Sequence, residues 1–168
     1  SPKMYGPSVK LYITPYMEGR SLPEVSGPLD GDRRRSIYLE LRRNHLPSML
    51  TSFNLPKPAT TAGRRVTSSL PTQALVMLNN EFVHQQAAAW ASSIEELPED
   101  RDIRIQSVYE RALGRAPDDE EQQWADEFFE SQLKRYQSVE LSGANAEVMA
   151  WADLCHVMFN LAEFMYVR

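Results

Sequence analysis

Residues 64–83 read RRVTSSLPTQALVMLNNEFV, and this stretch divides the chain into two halves of different character. Residues 1–70 are rich in Pro and Arg and show little regular pattern, whereas residues 71–168 have helical spacing almost throughout. Pro71 suits the first position of a helix, because its missing N–H is not needed there and its φ is already close to the helical value. Ser69 can cap the same helix. The stretch therefore predicts the start of a helical core.

The residues after Pro71 predict a helix, a break and a second helix. The apolar residues at helical spacing in the first helix, which we expect to be buried, are Ala74, Leu75 and Leu78. Asn79 and Asn80 are unfavourable inside a helix, since both side chains compete for backbone hydrogen bonds. Asn80 can instead cap a second helix from Glu81 to about Ile94. The inward residues of that helix would be Phe82, Val83, Ala87, Trp90 and Ile94.

The composition is that of a globular protein, with 42% hydrophobic and 24% charged residues in a chain of 168. This length fits one domain and allows a sizeable core. No apolar run approaches the roughly 20 residues of a membrane-spanning helix, and the N-terminus has no charged-then-apolar signal pattern. Because the chain opens with Ser-Pro-Lys rather than Met, we expect it to be part of a longer protein.

Charge is distributed unevenly along the chain. Residues 1–70 carry 11 Lys and Arg against 5 Asp and Glu, a net charge of +6, and residues 71–168 carry 7 against 18, a net charge of −11. The halves can attract partners of either sign, but we expect them to attract each other, with the basic arm lying over the acidic helices. The three successive Arg at 33–35 suit phosphate binding, yet the acidity of the whole chain argues against a nucleic-acid partner.

The N-terminal arm contains short segments with a pattern of their own. Asp32 can cap a helix over residues 32–43. A strand is the alternative there, because three apolar residues alternate: Ile37, Leu39 and Leu41. Val9 to Ile13 alternates weakly and predicts an edge strand, and Pro47 can start a single helical turn at Ser48–Thr51. Large apolar residues throughout the arm favour ordered packing over a flexible linker.

Two further helices follow in the acidic half. The first has Asp102 in its opening turn and stops at Gly114, where Gly tolerates a left-handed C-cap. The second begins at Pro117 and runs to about Val139, with the carboxylates of residues 118–121 at the positive end of the helix dipole. Stabilisation of the helix start explains the acidic residues 118–121 better than metal binding does. The residues expected to face the core are Ile103, Ile105, Val108, Tyr109, Ala112, Leu113, Trp124, Phe128, Leu133 and Tyr136.

The last predicted helix, from Ala144 to about Phe164, is apolar on most sides. The fold class is therefore mainly α: an orthogonal bundle of five or six helices with an extended Pro-rich N-terminal arm. We interpret residues 1–168 as one domain fragment, with residues 1–70 as the basic arm containing one short helix and residues 71–168 as the acidic helical core.

One polar row interrupts the last helix at the 3-4-3 spacing of a single face: Asp153, His156, Asn160 and Glu163. A carboxylate and an imidazole at this spacing can bind a metal or share a proton. An otherwise apolar helix would bury the row, where unpaired charges are costly. The preferred interpretation is therefore a structural network with Arg64 and Arg65 as the partners of Glu163, and a solvent-facing strip is the other alternative.

The single cysteine, Cys155, excludes an internal disulfide, and its apolar surroundings predict an inert core residue. It precedes His156, as in covalent haem attachment. Ala152, however, occupies the position where that motif has its other Cys. We therefore expect no cofactor in this chain.

Several segments, in order along the chain, resemble the planctomycete domain-of-unknown-function family numbered fifteen fifty-three. They are residues 6–9 (GPSV), 34–38 (RRSIY), 49–53 (MLTSF), 71–75 (PTQAL), 78–80 (LNN), 82–83 (FV), 109–117 (YERALGRAP) and 160–166 (NLAEFMY). The resemblance implies a C-terminal domain of large secreted proteins, often following a c-type cytochrome domain and encoded near sulfatases and polysaccharide-degrading enzymes. It implies an extracytoplasmic location (periplasm or cell surface), with haem only in a separate upstream domain. It assigns no catalytic residue.

Two functions follow from these observations. The preferred one is a non-catalytic interaction or scaffolding module of a large extracytoplasmic protein, whose partners are the upstream domains of the same polypeptide. The alternative is part of an enzyme or a binding site for an anionic, sulfated polysaccharide. No catalytic or metal-ligating residue is predicted. The candidate binding residues are Arg64, Arg65, Gln73, Asn79, Asn80, His156, Asn160 and Glu163.

Overall fold

The computed structural model describes residues 7–9, 35–41, 46–56, 63, 71–139 and 143–166. The described residues form seven α-helices and one 3-10 turn, which confirms the all-α bundle predicted from the sequence. The chain divides into two compact units, Ser1–Val76 and Met77–Arg168, so the division falls inside the helix that begins at Pro71. No helix of the described residues is long and apolar enough to cross a membrane.

In the first unit, the described part of the segment predicted as a helix is mostly extended. Ser36–Tyr38 form a single 3-10 turn, and Leu39 then makes an isolated parallel bridge to Val9. The two hydrogen bonds of this bridge, donated by Val9 N–H and by Glu40 N–H, are both 2.8 Å long. The backbone of this segment forms hydrogen bonds with Val9 and not along a helix. The helix predicted over residues 32–43 is therefore wrong where the structure describes it. The apolar alternation was the better indicator.

Other predictions for the arm fall on residues that the structure does not describe. They are the cap by Asp32, the edge strand beyond Val9, the packing of residues 10–34 and the cap by Ser69. The single turn predicted after Pro47 is confirmed as α1, Ser48–Ser52.

The helix α2, Pro71–Asn79, begins at Pro71 as predicted, but its buried side is not the predicted one. Gln73 and Met77 are its buried residues. The buried amide of Gln73 replaces its lost hydrogen bonds to water with a protein contact. Its Nε2 donates to the carbonyl oxygen of Ser52 at 3.0 Å, which links α2 to α1. The three apolar residues expected to be buried are exposed instead: Ala74, Leu75 and Leu78.

After α2, the described residues of the second unit form α3, Glu81–Ile94; α4, Arg101–Leu113; α5, Asp119–Ser138; α6, Gly143–Asn160; and α7, Ala162–Met165. The helix α6 packs extensively against both α3 and α5, and α4 packs against α5 and α6. The buried core consists of Ala87, Ala91, Ile94, Ile105, Val108, Tyr109, Ala125, Phe129, Ala150, Trp151, Leu154, Cys155 and Met158. The core position predicted for Cys155 is confirmed.

Local sequence signals fix where these helices begin and end. Asn80 caps α3, with Phe82 N–H donating to its Oδ1 at 2.9 Å. Gly114 ends α4 at φ 73°, a left-handed conformation that Gly adopts without strain. Asp118 and Glu121 form a reciprocal capping box at the start of α5, which confirms a helix-start role for these carboxylates.

Two further large side chains expected in the core, on α4 and α5, are exposed. Ile103 on α4 is 46% exposed and Trp124 on α5 is 44% exposed. The buried positions of α5 are Ala125 and Phe129, one residue further along the chain. One residue turns a helix by about 100°, so Trp124 lies on the flank of α5 instead of its inner face.

Candidate functional site

The polar row of the last predicted helix does not form one cluster, because that helix ends early. Asp153, His156 and Asn160 lie on α6, whereas Glu163 lies on α7, after the extended backbone at Leu161. Asn160 donates from its Nδ2 to the carbonyl oxygen of His156 at 2.8 Å, within its own helix. The other three members contact different parts of the second unit.

Asp153 accepts a hydrogen bond from Tyr136 Oη at 2.7 Å and so links α6 to α5. Burial, and then this hydrogen bond, raise the pKa of Tyr136 to about 12. The phenol therefore remains protonated at neutral pH and donates to the carboxylate. This pair is a structural contact, because the phenol cannot lose its proton near neutrality without losing the bond.

His156 joins α6 to the end of α2 and to α3. Its Nε2 lies 3.0 Å from the carbonyl oxygen of Met77, and because a carbonyl only accepts, Nε2 carries the proton. The imidazole lies against that of His84, with 4.2 Å between ring centroids and 44° between ring planes. Within the described residues, no group of three His, Cys, Asp or Glu side chains could hold a metal ion.

Glu163 is held by Arg115, which lies in the loop between α4 and α5. Nε and Nη2 of Arg115 donate to the two carboxylate oxygens of Glu163 at 2.9 and 2.8 Å. Nη1 and Nη2 donate to the two oxygens of Glu121 at 2.7 and 2.8 Å. One guanidinium thus binds two carboxylates in forked geometry and fixes α7 to the start of α5. The predicted partners, Arg64 and Arg65, lie outside the described residues.

The charges of this cluster are stabilised by their mutual hydrogen bonds. The hydrogen bonds from Arg115, and then one from Asp118 N–H, lower the pKa of Glu121 to about 2 against the opposing effect of burial. The pKa of Arg115 is raised, first by its hydrogen bond to Glu121 and then by that to Glu163. Arg115 and Glu121 therefore remain charged at neutral pH.

Arg104 is a buried charge that sequence reasoning missed. Its Nε donates to Pro98 O at 2.8 Å, its Nη2 to Leu97 O at 3.2 Å and its Nη1 to Glu147 Oε1 at 3.0 Å. The side chain therefore joins the segment after α3 to α4 and α6. The available signal was its position four residues before Val108, on the apolar face of the helix.

The other candidates that the structure describes are Gln73, Asn79 and Asn80, which lie on α2 or directly after it. Gln73 is bound to the first unit by its contact with Ser52, Asn79 is exposed at the end of α2, and Asn80 is used as a helix cap. The candidates in the second unit thus serve separate structural contacts.

The family model described as a protein of unknown function (PSD1, DUF1553) matches residues 1–129. The chain belongs to this family. The match covers the DUF1553 chain from its start to the middle of α5, so Asp153, His156 and Glu163 lie beyond the matched residues and family membership assigns them no role. No curated protein and no solved structure matches the chain.

Proposed function

We propose that this DUF1553 protein is a non-catalytic interaction module of a larger extracytoplasmic protein. The proposal rests on one observation: polar side chains of the second unit form hydrogen bonds that join its structural elements. The contacts of Tyr136 with Asp153, of His156 with Met77 and of Arg115 with Glu163 each join two structural elements. A catalytic group must be free to approach a substrate and to change its protonation state. Groups engaged in these contacts are not free in that sense.

The charge of the helical half supports a protein partner with a basic surface. Residues 71–168 carry a net charge of −11. Such an excess attracts a positively charged surface and accelerates association with it. It repels sulfated polysaccharides, which are anionic. The partner in this proposal is an upstream domain of the same polypeptide.

Binding measurements separate this function from polysaccharide binding. The 168-residue chain is immobilised, and the remainder of the intact polypeptide is produced separately and applied at about 50 and about 200 mM NaCl. We expect saturable binding that weakens at the higher salt concentration, and no binding of carrageenan, a sulfated polysaccharide.

Two results would contradict the proposal. Saturable binding of carrageenan, without binding of the remaining polypeptide, would support the polysaccharide function predicted as the alternative. The absence of binding to either would reject an interaction role for this chain.

A further inference from the structure

A pair of aromatic rings, one of them exposed, lies on α5 apart from the contacts described above. Trp124 is 44% exposed, and Phe128, one helical turn later, is half-buried against the core. The ring centroids are 5.4 Å apart and the planes are within 21° of parallel. Phe128 packs against the core and stacks on the indole of Trp124, so the two rings form one aromatic surface. Exposed Trp side chains with restricted motion are frequent binding hot spots.

Two exposed carboxylates flank the indole along the same helix. Glu120 lies four residues before Trp124 and Glu127 lies three residues after it, which are the spacings of neighbouring side chains on a helix surface. Gln123 Nε2 donates to Glu127 at 2.8 Å, but this neutral amide leaves the charge in place. The ion pairs formed by the described residues include neither Glu120 nor Glu127.

We propose that Glu120, Trp124, Glu127 and Phe128 form a docking surface for a cationic protein segment that carries a large apolar side chain. Lys or Arg of the segment would pair with the carboxylates and lie over the indole, where cation–π attraction is strongest among the aromatic residues. The apolar side chain would cover the remaining face of the ring pair. This inference rests on the proposed function and specifies the chemistry of its partner.

The charge pattern selects this occupant over others. A second copy of the chain that met this surface with its own would bring the same two carboxylates to the contact, and like charges that face each other oppose association. A sulfated polysaccharide would be repelled in the same way. A basic segment without an apolar side chain would leave the exposed indole uncovered and would bind more weakly.

The test uses the full chain and three short synthetic peptides: an amphipathic Leu/Lys peptide, a Lys/Ser peptide without apolar side chains, and a Leu/Glu peptide. We expect titration calorimetry to show that the Leu/Lys peptide binds most tightly. Trp124→Ala should weaken this binding at least about tenfold. Met149→Ala, which removes a similarly exposed apolar side chain (43%) from α6, should change it less than about twofold.

A double variant, Glu120→Gln with Glu127→Gln, keeps the test decisive if Trp124→Ala disturbs folding, which circular dichroism would reveal. We expect the double variant to weaken binding of the Leu/Lys peptide and to reduce its salt dependence. Equal binding by wild type, Trp124→Ala and Met149→Ala would overturn the proposal, as would tighter binding of the Leu/Glu peptide. The proposal would also be overturned if wild type bound laminarin, a neutral polysaccharide, more tightly than the Leu/Lys peptide and Trp124→Ala lost that binding.

The same variants distinguish this inference from the proposed function. If the remaining polypeptide binds wild type and Trp124→Ala equally well, the chain is an interaction module but this surface is not its docking site. If the remaining polypeptide does not bind wild type at all, the proposed function is wrong, whatever the peptides show.

Discussion

Arg104 occupies a core position of α4 although it carries a charge, because its guanidinium replaces the water that it loses with three protein acceptors. Two of these are carbonyl oxygens of the segment that leaves α3, and a buried charge is tolerated only when such groups surround it. The side chain therefore connects three parts of the second unit.

Replacing Arg104 by Met should lower the free energy of unfolding by about 1–3 kcal/mol, because the carbonyl groups of Leu97 and Pro98 lose their donor. Glu147→Gln is the matched control. Its carboxylate is half exposed, so we expect a loss below about 1 kcal/mol. Urea denaturation followed by circular dichroism measures both values, and equal losses would show that the ion pair, and not the carbonyl contacts, determines the effect.

The Arg115 cluster makes the stability of the second unit dependent on pH. The pKa of Glu121 is about 2 in the folded protein, below its ordinary value of 4.5, so the folded state is stabilised when this carboxyl is ionised. The stabilisation is complete above about pH 5 and is lost as the pH falls toward about 2. Glu121→Gln should therefore lower the Tm at neutral pH and flatten the decrease of Tm in acid.

Glu120→Gln is the control for this pH dependence, since the ion pairs of the described residues do not include the carboxylate of Glu120. It should retain the acid decrease of the wild type. The Tm of the wild type, of Glu121→Gln and of Glu120→Gln is measured by thermal denaturation at a series of pH values. An unchanged acid decrease in Glu121→Gln would show that other carboxyl groups cause it.

At the scale of the element, helix ends follow from a few local residues. Gly114 ends α4 at φ 73°, and a Cβ added there would meet nothing within 4 Å. Glycine is therefore favoured at this position because of the left-handed backbone, and not because a side chain would lack space. Gly63 offers the same open space without a positive φ.

Gly114→Ala should lower the free energy of unfolding by about 1 kcal/mol, because a left-handed backbone strains any residue with a Cβ. Gly114→Asn should cost less, since Asn tolerates this conformation better. Gly63→Ala should change the stability by less than about 0.5 kcal/mol. Chemical denaturation measures the series, and equal effects at the two positions would contradict a conformational cause.

At the scale of the whole molecule, the buried cluster that the described residues form is contributed by α3, α4, α5 and α6. A core that is complete within one stretch of sequence should fold without the rest of the chain. Residues 71–168, which retain α2 and the Met77 carbonyl that His156 binds, should therefore form a stable fragment.

We expect the fragment 71–168 to show a helical circular dichroism spectrum and a cooperative urea transition. The reason is that its core contains large interlocking side chains such as Trp151 and Phe129, whose ring centroids are 4.4 Å apart. A non-cooperative transition with strong binding of a hydrophobic dye would mean that residues 1–70 are needed for core packing.

The sequence by itself determined the helical class and most helix boundaries. Pro71, Asn80 and Gly114 mark ends that the structure confirms, and α5 begins at Asp119, two residues after the predicted start at Pro117. These residues act on backbone groups within a few positions of themselves, so their effect can be read without knowledge of the fold. The membership in the DUF1553 family was likewise visible in short motifs.

Only the tertiary structure decided which faces are buried and which polar groups meet. Trp124 and Ile103 are exposed, although their helical spacing predicted core positions, because burial depends on where neighbouring helices lie. Glu163 meets Arg115, 48 residues away in sequence, because the chain bends after Asn160. Such contacts depend on distances between elements, and spacing along one helix contains no information about them.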